Sequence, residues 1–323
     1  MKTIGVLTSG GDNPGLNACI RSVVRMGIGM GMEVMGIRRG YAGLIDGEID
    51  EMDSRSVSGI IGYGGTVLGT ARCPEFREAR GRREALRSLN RFGIEGLVVI
   101  GGNGSLTGAY ELSRLGFPVV GVPSTIDNDV YGTDIALGVD TALNTIVDAI
   151  DKIKDTASSH NRAFLIEVMG RASGYLALMS GIAGGAEMVL VPEVETTIEA
   201  IADNIEEDYV RGKTHSIIIV AEGWKPGTLA LAEQLNDQSD EVGFSVRVTQ
   251  LGHVQRGGSA SAFDRILATR LGAAAVRELA AGNDGVVVGW VRREVSVTPL
   301  EEAVRLNKEL DTATFELADV MAR

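Results

Sequence analysis

The sequence predicts an α/β protein of two lobes, built as parallel-rich α/β/α sandwiches with helices on both sheet faces. Short apolar runs alternate with helix-length segments along the whole chain, which favours parallel strands joined by helical crossovers. With 323 residues the chain exceeds the usual size of one hydrophobic core, so two domains are expected. No low-complexity linker separates them, and we therefore expect the chain to cross between the lobes more than once.

The predicted strands are apolar runs followed by turns or by helix-length segments. They lie at 3–8, 33–38, 96–101, 118–122, 163–168, 187–191, 216–221, 246–252 and 285–291. The clearest helix is predicted over 139–153, where apolar side chains from Val139 to Ile153 recur at steps of three and four residues.

Composition and charge argue against several classes of protein. The net charge of −12 disfavours general nucleic-acid binding, although a local arginine cluster can still bind an anion. No apolar run is long enough to span a bilayer, and the amino terminus has no signal-peptide pattern. Cys19 and Cys73 have neither zinc nor disulfide spacing, which favours a reducing cytoplasm.

An acidic loop at 123–129 follows the fourth predicted strand and carries Thr125, Asp127 and Asp129. Open α/β sheets bind ligands at the carboxyl ends of their strands. Of two neighbouring carboxylates, one can hold a cation while the other takes a proton. The same composition also suits a turn rich in Asp and Asn, so this loop alone leaves both interpretations open.

Two glycine-rich loops, at 9–17 and 101–105, each follow a predicted strand and precede a predicted helix. Glycine lets the backbone approach a phosphate, and the free N–H groups of the following helix face the anion. Neither loop matches the P-loop consensus or the full dinucleotide motif, and each alone could be an ordinary turn. Together with the acidic loop they supply phosphate cradles and a place for Mg²⁺, the parts that phosphoryl transfer needs.

Arginine-bearing segments follow or flank several strands, which is unexpected in an acidic protein. Arginine forms forked hydrogen bonds to phosphate and keeps its charge, although an isolated arginine is more often part of a surface ion pair. We interpret these segments as phosphate pockets; they contain Arg72, Arg77, Arg162, Arg171, Arg247, His253 and Arg256.

With these motifs the chain resembles the bacterial-type ATP-dependent 6-phosphofructokinases from Ile4 to about Ala273. The matching motifs are Thr8–Asp12, Gly101–Ser105, Pro123–Asp129, Val168–Arg171, Ala221–Gly223 and Gly252–Gly258. The resemblance implies a larger nucleotide-binding lobe at 1–138 plus 255–305 and a smaller sugar-phosphate-binding lobe at 139–254 plus 306–323. It also implies phosphoryl transfer from MgATP to the 1-hydroxyl of fructose 6-phosphate, which gives fructose 1,6-bisphosphate in glycolysis.

The resemblance assigns roles to individual residues. Asp127 corresponds to the base that takes the proton of the sugar hydroxyl. Thr125 and Arg171 correspond to groups that hold the reacting end of the sugar and the moving phosphoryl group. Arg72 corresponds to the cation that bridges the phosphates, and Gly11 belongs to the same catalytic set.

Three further sets of positions follow from the resemblance. The nucleotide positions are Gly11, Tyr41, Arg72, Cys73, Arg77, Arg82, Gly102, Asn103, Gly104, Ser105 and Gly108. The sugar-phosphate positions are Thr125, Asp127, Arg162, Met169, Gly170, Arg171, Glu222, Arg247, His253 and Arg256. The positions for Mg²⁺ are Asn103 and Asp129.

The resemblance further implies a cytoplasmic homotetramer with shared active sites, because Arg162 and Arg247 match positions that serve a neighbouring subunit. It implies an effector pocket as well, for a nucleotide or for phosphoenolpyruvate. The matching effector positions are Arg21, Arg25, Ser58, Lys154, Glu187, Arg211, Lys213 and His215.

The sequence departs from the family at two positions of the active site. Asn103 stands where the family usually carries an aspartate that contacts the metal, and Ser124 stands where it often carries glycine. We expect the neutral amide of Asn103 to weaken metal engagement. In the effector pocket, Ser54 replaces an expected arginine, although Arg55 lies beside it.

Several alternatives remain open from the sequence. A pyrophosphate-dependent phosphofructokinase would be expected to carry Asp at position 104 and Lys at position 124, where this chain has Gly104 and Ser124. A weakly active or regulatory homologue would fit Asn103 but not the retained Thr125 and Asp127. A nicotinamide dehydrogenase fits less well, because the first loop lacks the dinucleotide spacing.

Overall fold

The computed structural model describes residues 1–160, 162–238 and 245–321. Its contacts divide the chain into two compact units, Met1–Thr141 with Arg256–Lys308 and Ala142–Gln255 with Glu309–Arg323. The smaller predicted lobe includes residues 161, 239–244, 322 and 323, which lie outside the described residues. The ligand assigned to each lobe stays a prediction.

The strands and helices alternate along the chain. The strands are β1 (Thr3–Ser9), β2 (Glu33–Ile37), β3 (Ile49–Glu51), β4 (Gly96–Gly101), β5 (Val119–Pro123), β6 (Arg162–Val168), β7 (Met188–Leu190), β8 (His215–Ala221), β9 (Ser245–Gln250), β10 (Val286–Val291) and β11 (Glu294–Pro299). The helices are α1 (Leu16–Gly29), α2 (Gly40–Asp46), α3 (Ala79–Arg91), α4 (Asn103–Arg114), α5 (Val139–His160), α6 (Tyr175–Gly184), α7 (Ile198–Val210), α8 (Thr228–Asp237), α9 (Ala262–Ala281), α10 (Leu300–Arg305) and α11 (Thr312–Met321). Short 3₁₀ turns lie at Ile60–Gly62, Pro74–Arg77 and Gly252–Arg256.

The first unit is built on a sheet with the strand order β11-β10-β5-β4-β1-β2-β3. Its inner strands pair in parallel, whereas β3 and β11 pair antiparallel at the two edges. The predicted parallel-rich α/β class is therefore confirmed. The two edge strands were not among the predicted ones.

Helices cover both faces of this sheet, and the alternation of side chains along β4 shows why. Val98 and Ile100 belong to a core cluster that includes residues of α1 and α9, whereas Leu97 and Val99 belong to a second cluster with residues of α3 and α4. Successive residues of a strand point to opposite faces, so a strand that is buried on both faces reads as a continuous apolar run.

The second unit contains a smaller sheet with the order β7-β8-β6-β9, in which neighbouring strands pair in parallel. Residues of α7 and α8 pack on one face of it and form a separate apolar core with β6 and β8. The carboxyl end of β6 leads directly into Met169, Gly170 and Arg171.

Three neighbouring strands of the larger sheet place the predicted ligand loops side by side. The glycine-rich loops follow β1 and β4, and the acidic loop follows β5, which lies next to β4. Because parallel strands end at the same edge, all three loops lie at the carboxyl edge of one sheet. The prediction that these strands share one sheet is confirmed.

Candidate active site

The loop after β1 packs tightly against an arginine of the same unit. A Cβ at Gly11 would lie 2.3 Å from Nη1 of Arg256, so only glycine fits there without displacing the guanidinium group. The same Nη1 donates a hydrogen bond to the carbonyl oxygen of Asp12 at 3.2 Å. The structure thus brings Gly11 and Arg256 together, one from each of two predicted ligand sets.

The loop after β4 leads into α4, whose first residue is Asn103. A Cβ at Gly101 would lie 2.5 Å from the carbonyl oxygen of Ser9, and a Cβ at Gly102 would lie 3.3 Å from Cβ of Thr125. The three loops therefore touch one another. At Gly104, by contrast, an added Cβ would meet no described atom within 4 Å, so the start of α4 has open space beside it. A helix amino terminus with free N–H groups favours an anion.

Hydrogen bonds within the acidic loop and to the chain that follows it fix the positions of its residues. The backbone N–H of Asp127 donates to Oγ1 of Thr125 at 3.2 Å, and Asp127 is only 2% exposed. Asn128 adopts a left-handed conformation with φ of 51°, which asparagine tolerates better than most residues. Its Oδ1 accepts from the N–H of Ala136 at 2.9 Å, and its Nδ2 donates to the carbonyl of Asp134 at 3.1 Å.

The two residues that depart from the family pattern, Asn103 and Ser124, each join two loops through hydrogen bonds. Nδ2 of Asn103 donates to the carbonyl oxygen of Asp129 at 3.3 Å, a bond that a carboxylate could not donate. Ser124 is buried and exchanges hydrogen bonds with the buried Asn13, which donates from Nδ2 at 2.9 Å and accepts at Oδ1 at 3.1 Å. Asn103 and Asp129 are therefore neighbours, and Ser124 links the acidic loop to the loop after β1.

Tyr41 organises several predicted nucleotide positions. Its hydroxyl donates to the carbonyl of Ser105 at 2.6 Å, and a Cβ at Gly108 would lie 2.7 Å from its ring. The ring stacks on Phe76 with 4.0 Å between the centroids. Burial raises the pKa of Tyr41 well above its ordinary value, so the neutral phenol remains a hydrogen-bond donor.

The segment that carries Arg72, Cys73 and Arg77 is fastened at both ends. Oγ1 of Thr70 donates to the carbonyl of Gly10 at 2.8 Å, and Nη1 of Arg82 donates to the carbonyl of Arg77 at 2.7 Å. Burial raises the pKa of Cys73, which keeps its thiol protonated at neutral pH. Arg72 is exposed, and its guanidinium forms no ion pair with any residue that the structure describes.

In the second unit, Glu222 fixes the turn after β6. Its Oε1 accepts from the N–H of Arg171 at 2.7 Å and from the N–H of Gly170 at 3.2 Å. Arg171 adopts a φ of 53°, and a Cβ at Gly223 would lie 2.0 Å from its carbonyl oxygen. The N–H of Met169 donates to the buried Gln255 at 3.1 Å. The predicted sugar-phosphate positions Met169, Gly170, Arg171 and Glu222 thus form one group.

Arg162 and Arg247 lie away from that group. Arg162 begins β6, whereas Arg171 follows its carboxyl end, so about 20 Å of extended strand separates the two ends. Arg247 on β9 is in register with Phe164 and lies at the same end as Arg162. Residues 162, 164 and 247 point to one face of the sheet. His253 lies in the 3₁₀ turn after β9 and is exposed.

The predicted effector positions fall into groups in both units. In the second unit, Lys213 pairs with Asp208 at 2.7 Å and with Glu187 at 3.6 Å. Nζ of Lys154 donates to the carbonyls of Gly184 and Gly185. The remaining positions are Arg211, paired with Glu207, and His215 at the start of β8 in this unit, and Arg21, Arg25 and Ser58 in the first unit.

Lys308 was not predicted as a site residue, yet it lies against the acidic loop. Its Nζ donates to the carbonyl of Asp134 at 2.6 Å. Burial lowers the pKa of Lys308 to about 8. The negative charge of Asp134 and, to a smaller extent, that of Asp129 oppose this decrease. A single lysine after a short helix has no sequence signature, and its partner lies far away along the chain.

Two features are absent from the described part of the chain. No helix in 1–160, 162–238 or 245–321 is long and apolar enough to cross a bilayer. The same residues contain no group of three or more His, Cys, Asp or Glu side chains that could hold a metal ion by themselves.

Comparisons with known proteins identify the family of the chain. The family model for phosphofructokinase matches residues 3–279. ATP-dependent 6-phosphofructokinase 1 of Thermus thermophilus is 54% identical over 323 residues and covers 100% of both chains. The ATP-dependent 6-phosphofructokinase of Bacillus pumilus is 56% identical over 295 residues, or 91% of each chain.

Solved structures show the same fold. The phosphofructokinase of Saccharomyces cerevisiae superposes with a TM-score of 0.88 at 39% identity, over 100% of this chain and 48% of that one. A pyrophosphate-dependent phosphofructokinase of Marinobacter aquaeolei superposes with a TM-score of 0.85 over 97% of this chain and 86% of its own, but its 23% identity shows the fold alone. The match of the family model and the full-length identities decide the assignment: the chain belongs to the phosphofructokinase family.

Proposed function

We propose that this chain catalyses phosphoryl transfer from ATP to the 1-hydroxyl of fructose 6-phosphate, with Asp127 as the base. The product is fructose 1,6-bisphosphate, and the reaction is the kinase step of glycolysis. The observation that carries the proposal is the contact of three ligand loops at one sheet edge, with a buried Asp127 in one of them. Relatives at 52% and 56% identity bear the name of this activity.

The residues of the first unit supply the parts of the reaction in turn. The amino terminus of α4 and the glycine-rich loop after β1 offer N–H groups to the phosphates. Asp127 takes the proton of the attacking hydroxyl, and its burial keeps competing water away. Oγ1 of Thr125 accepts from the N–H of Asp127, which leaves the hydroxyl hydrogen to donate to the moving phosphoryl group. Arg72 and Gly11 keep the roles that the resemblance implies, and Arg171 and Glu222 of the second unit keep theirs.

Asn103 and Asp129 would hold the Mg²⁺ that accompanies ATP. They are neighbours through the hydrogen bond from the Asn103 amide to the Asp129 carbonyl. A site with few protein oxygens suits Mg²⁺, which keeps most of its shell as water and substrate phosphates. When bound, the ion neutralises charge on the phosphates. Magnesium use is part of the proposal. So is a cytoplasmic location, which the free thiols of Cys19 and Cys73 favour.

Donor choice gives a direct test of the function. Gly104 leaves open space at the start of α4, where a carboxylate would repel a nucleotide phosphate. Ser124 is buried against Asn13 and offers no cation to pyrophosphate. In a coupled assay with fructose 6-phosphate we expect activity with ATP and Mg²⁺, at least about 100-fold above that with pyrophosphate or with ATP after chelation. Substantial turnover with pyrophosphate would refute the donor assignment, and turnover after chelation would refute the metal.

Shared active sites in an oligomer, most simply a homotetramer, are also part of the proposal. Arg162 lies at the opposite end of β6 from Arg171, so the two cannot contact one small sugar phosphate within the second unit. A neighbouring subunit that contributes Arg162 and Arg247 removes this difficulty.

Mixing two inactive variants tests that sharing. Co-folded Arg162→Ala and Asp127→Ala subunits should recover a measurable fraction of wild-type activity, because some hybrid sites then combine an intact Asp127 with an intact Arg162. Each variant alone, refolded in the same way, serves as the control. Full activity in a protein that sediments as a monomer would rule out shared sites.

A further inference from the structure

We propose that Lys308 is a positioning residue for the phosphoryl transfer, because its ammonium group holds the acidic loop that carries Asp127 and Asp129. The inference rests on the proposed function of that loop. It assigns Lys308 no contact with substrate: the side chain acts through the backbone of Asp134.

The hydrogen bonds of Asp134 connect Lys308 to the base. Its carbonyl oxygen accepts from Nζ of Lys308 at 2.6 Å and from Nδ2 of Asn128 at 3.1 Å. Asn128 lies between Asp127 and Asp129 in a left-handed conformation, with a φ of 51°, and its side chain is held by hydrogen bonds to Ala136 and Asp134. Lys308 therefore fixes the position of the Asp134 carbonyl oxygen, which in turn accepts the hydrogen bond from Asn128.

The same stretch of chain is fastened at two further points. Asn307 forms an antiparallel bridge with Val130, which places Lys308 beside the residue that directly follows the acidic loop. On the other side, the N–H of Asp134 donates to the carbonyl of Trp290 at 2.8 Å, and its Oδ2 accepts from the N–H of Arg292 at 2.8 Å. The chain that directly follows the acidic loop is thus held between the β10–β11 hairpin and the segment at 307–308.

Charge explains why a lysine suits this position. Asp134 and Asp129 both act on the ammonium group of Lys308, and the side chain is half-buried. A hydrogen bond from a charged donor is roughly twice as strong as one from a neutral donor. A neutral side chain of similar length keeps the packing but loses this attraction, so Asn128 and the adjacent base gain freedom to move.

Three variants at one position separate charge from packing. Lys308→Met removes both charge and donor, Lys308→Gln keeps a neutral donor, and Lys308→Arg keeps the charge. We expect both neutral variants to lose about 10-fold in kcat, because a small misplacement of the base affects the transition state more than substrate binding. KM for fructose 6-phosphate and for ATP should change by less than about twofold, and Lys308→Arg should recover kcat to within about threefold of wild type.

Lys152→Met is the matched control, since Lys152 is exposed on α5 and pairs only with Asp148 among the described residues. Wild-type kcat in either neutral variant overturns the inference. So does a purely structural pattern, in which both KM values and the thermal midpoint shift and Lys308→Arg is no better than Lys308→Met. If Lys308→Met does not fold, the comparison of Gln with Arg decides. A wild-type enzyme without activity on ATP and fructose 6-phosphate would instead refute the proposed function.

Discussion

Replacing Asp127 by asparagine should lower kcat by about 10²–10⁴-fold while KM for fructose 6-phosphate changes little. The substitution keeps the shape of the side chain and removes the basic oxygen. Asp127 is 2% exposed, and its N–H is held by Thr125 at 3.2 Å, a backbone bond that the variant retains. The loss should therefore come from the missing base rather than from a rearranged loop. Steady-state kinetics with both substrates varied will measure it.

Asp148→Asn is a suitable control for this experiment, because Asp148 is an exposed carboxylate on α5. It should leave kcat unchanged. If Asp127→Asn turns over at the wild-type rate, Asp127 is not the base. If its KM for the sugar phosphate rises as much as its kcat falls, the carboxylate contributes to binding as much as to the chemical step.

The fold was predictable where strands are buried on both faces. β1, β4 and β5 read as continuous apolar runs, because helices cover the sheet on each side. β3 has only three residues, too few for any periodicity. β11 follows a two-residue turn of Arg292 and Arg293, both with positive φ, where glycine or asparagine usually marks a hairpin.

The candidate site was predictable in its loops but not in the network that holds them. Each loop follows a buried strand, so its place at the sheet edge could be inferred from local sequence alone. Lys308 and Asn128 both donate a hydrogen bond to the carbonyl oxygen of Asp134. Lys308 is 174 positions away from Asp134 and Asn128 is 6 positions away, and no local sequence pattern indicates either bond. Such polar contacts depend on the tertiary fold.

At Asn103, too, the sequence alone did not predict the hydrogen bond that the side chain forms. Its sequence position suggests a weakened metal ligand, because an amide brings no negative charge. The structure adds that its Nδ2 donates to the carbonyl of Asp129. An aspartate there would place a carboxylate oxygen against that carbonyl, so the amide has a role in joining two loops that the family comparison alone did not predict.

Replacing Arg72 by methionine should lower kcat/KM by about 10²–10³-fold, the usual cost of removing one group that stabilises developing charge. Arg72 is exposed and forms no ion pair with a described residue, and its segment is held by the bond from Thr70 to Gly10. Its loss should therefore leave the thermal midpoint within about 2 °C of wild type, because no ion pair among the described residues depends on it. Because Thr70 of the same segment bonds to Gly10, we expect the guanidinium of Arg72 to be available to a ligand at the glycine-rich loop after β1.

Arg72→Lys tests whether the forked guanidinium matters beyond its charge. Lysine restores a point charge without two parallel donors, so we expect activity between the methionine variant and wild type, about 10-fold below the latter. Arg87→Met controls for the loss of a surface arginine, because the Arg87 side chain on α3 is 82% exposed, and it should leave kcat/KM unchanged. Steady-state kinetics at saturating fructose 6-phosphate with ATP varied will rank the variants. A methionine variant within about threefold of wild type would show that the phosphates are bridged by another cation, and lysine equal to arginine would show that charge alone suffices.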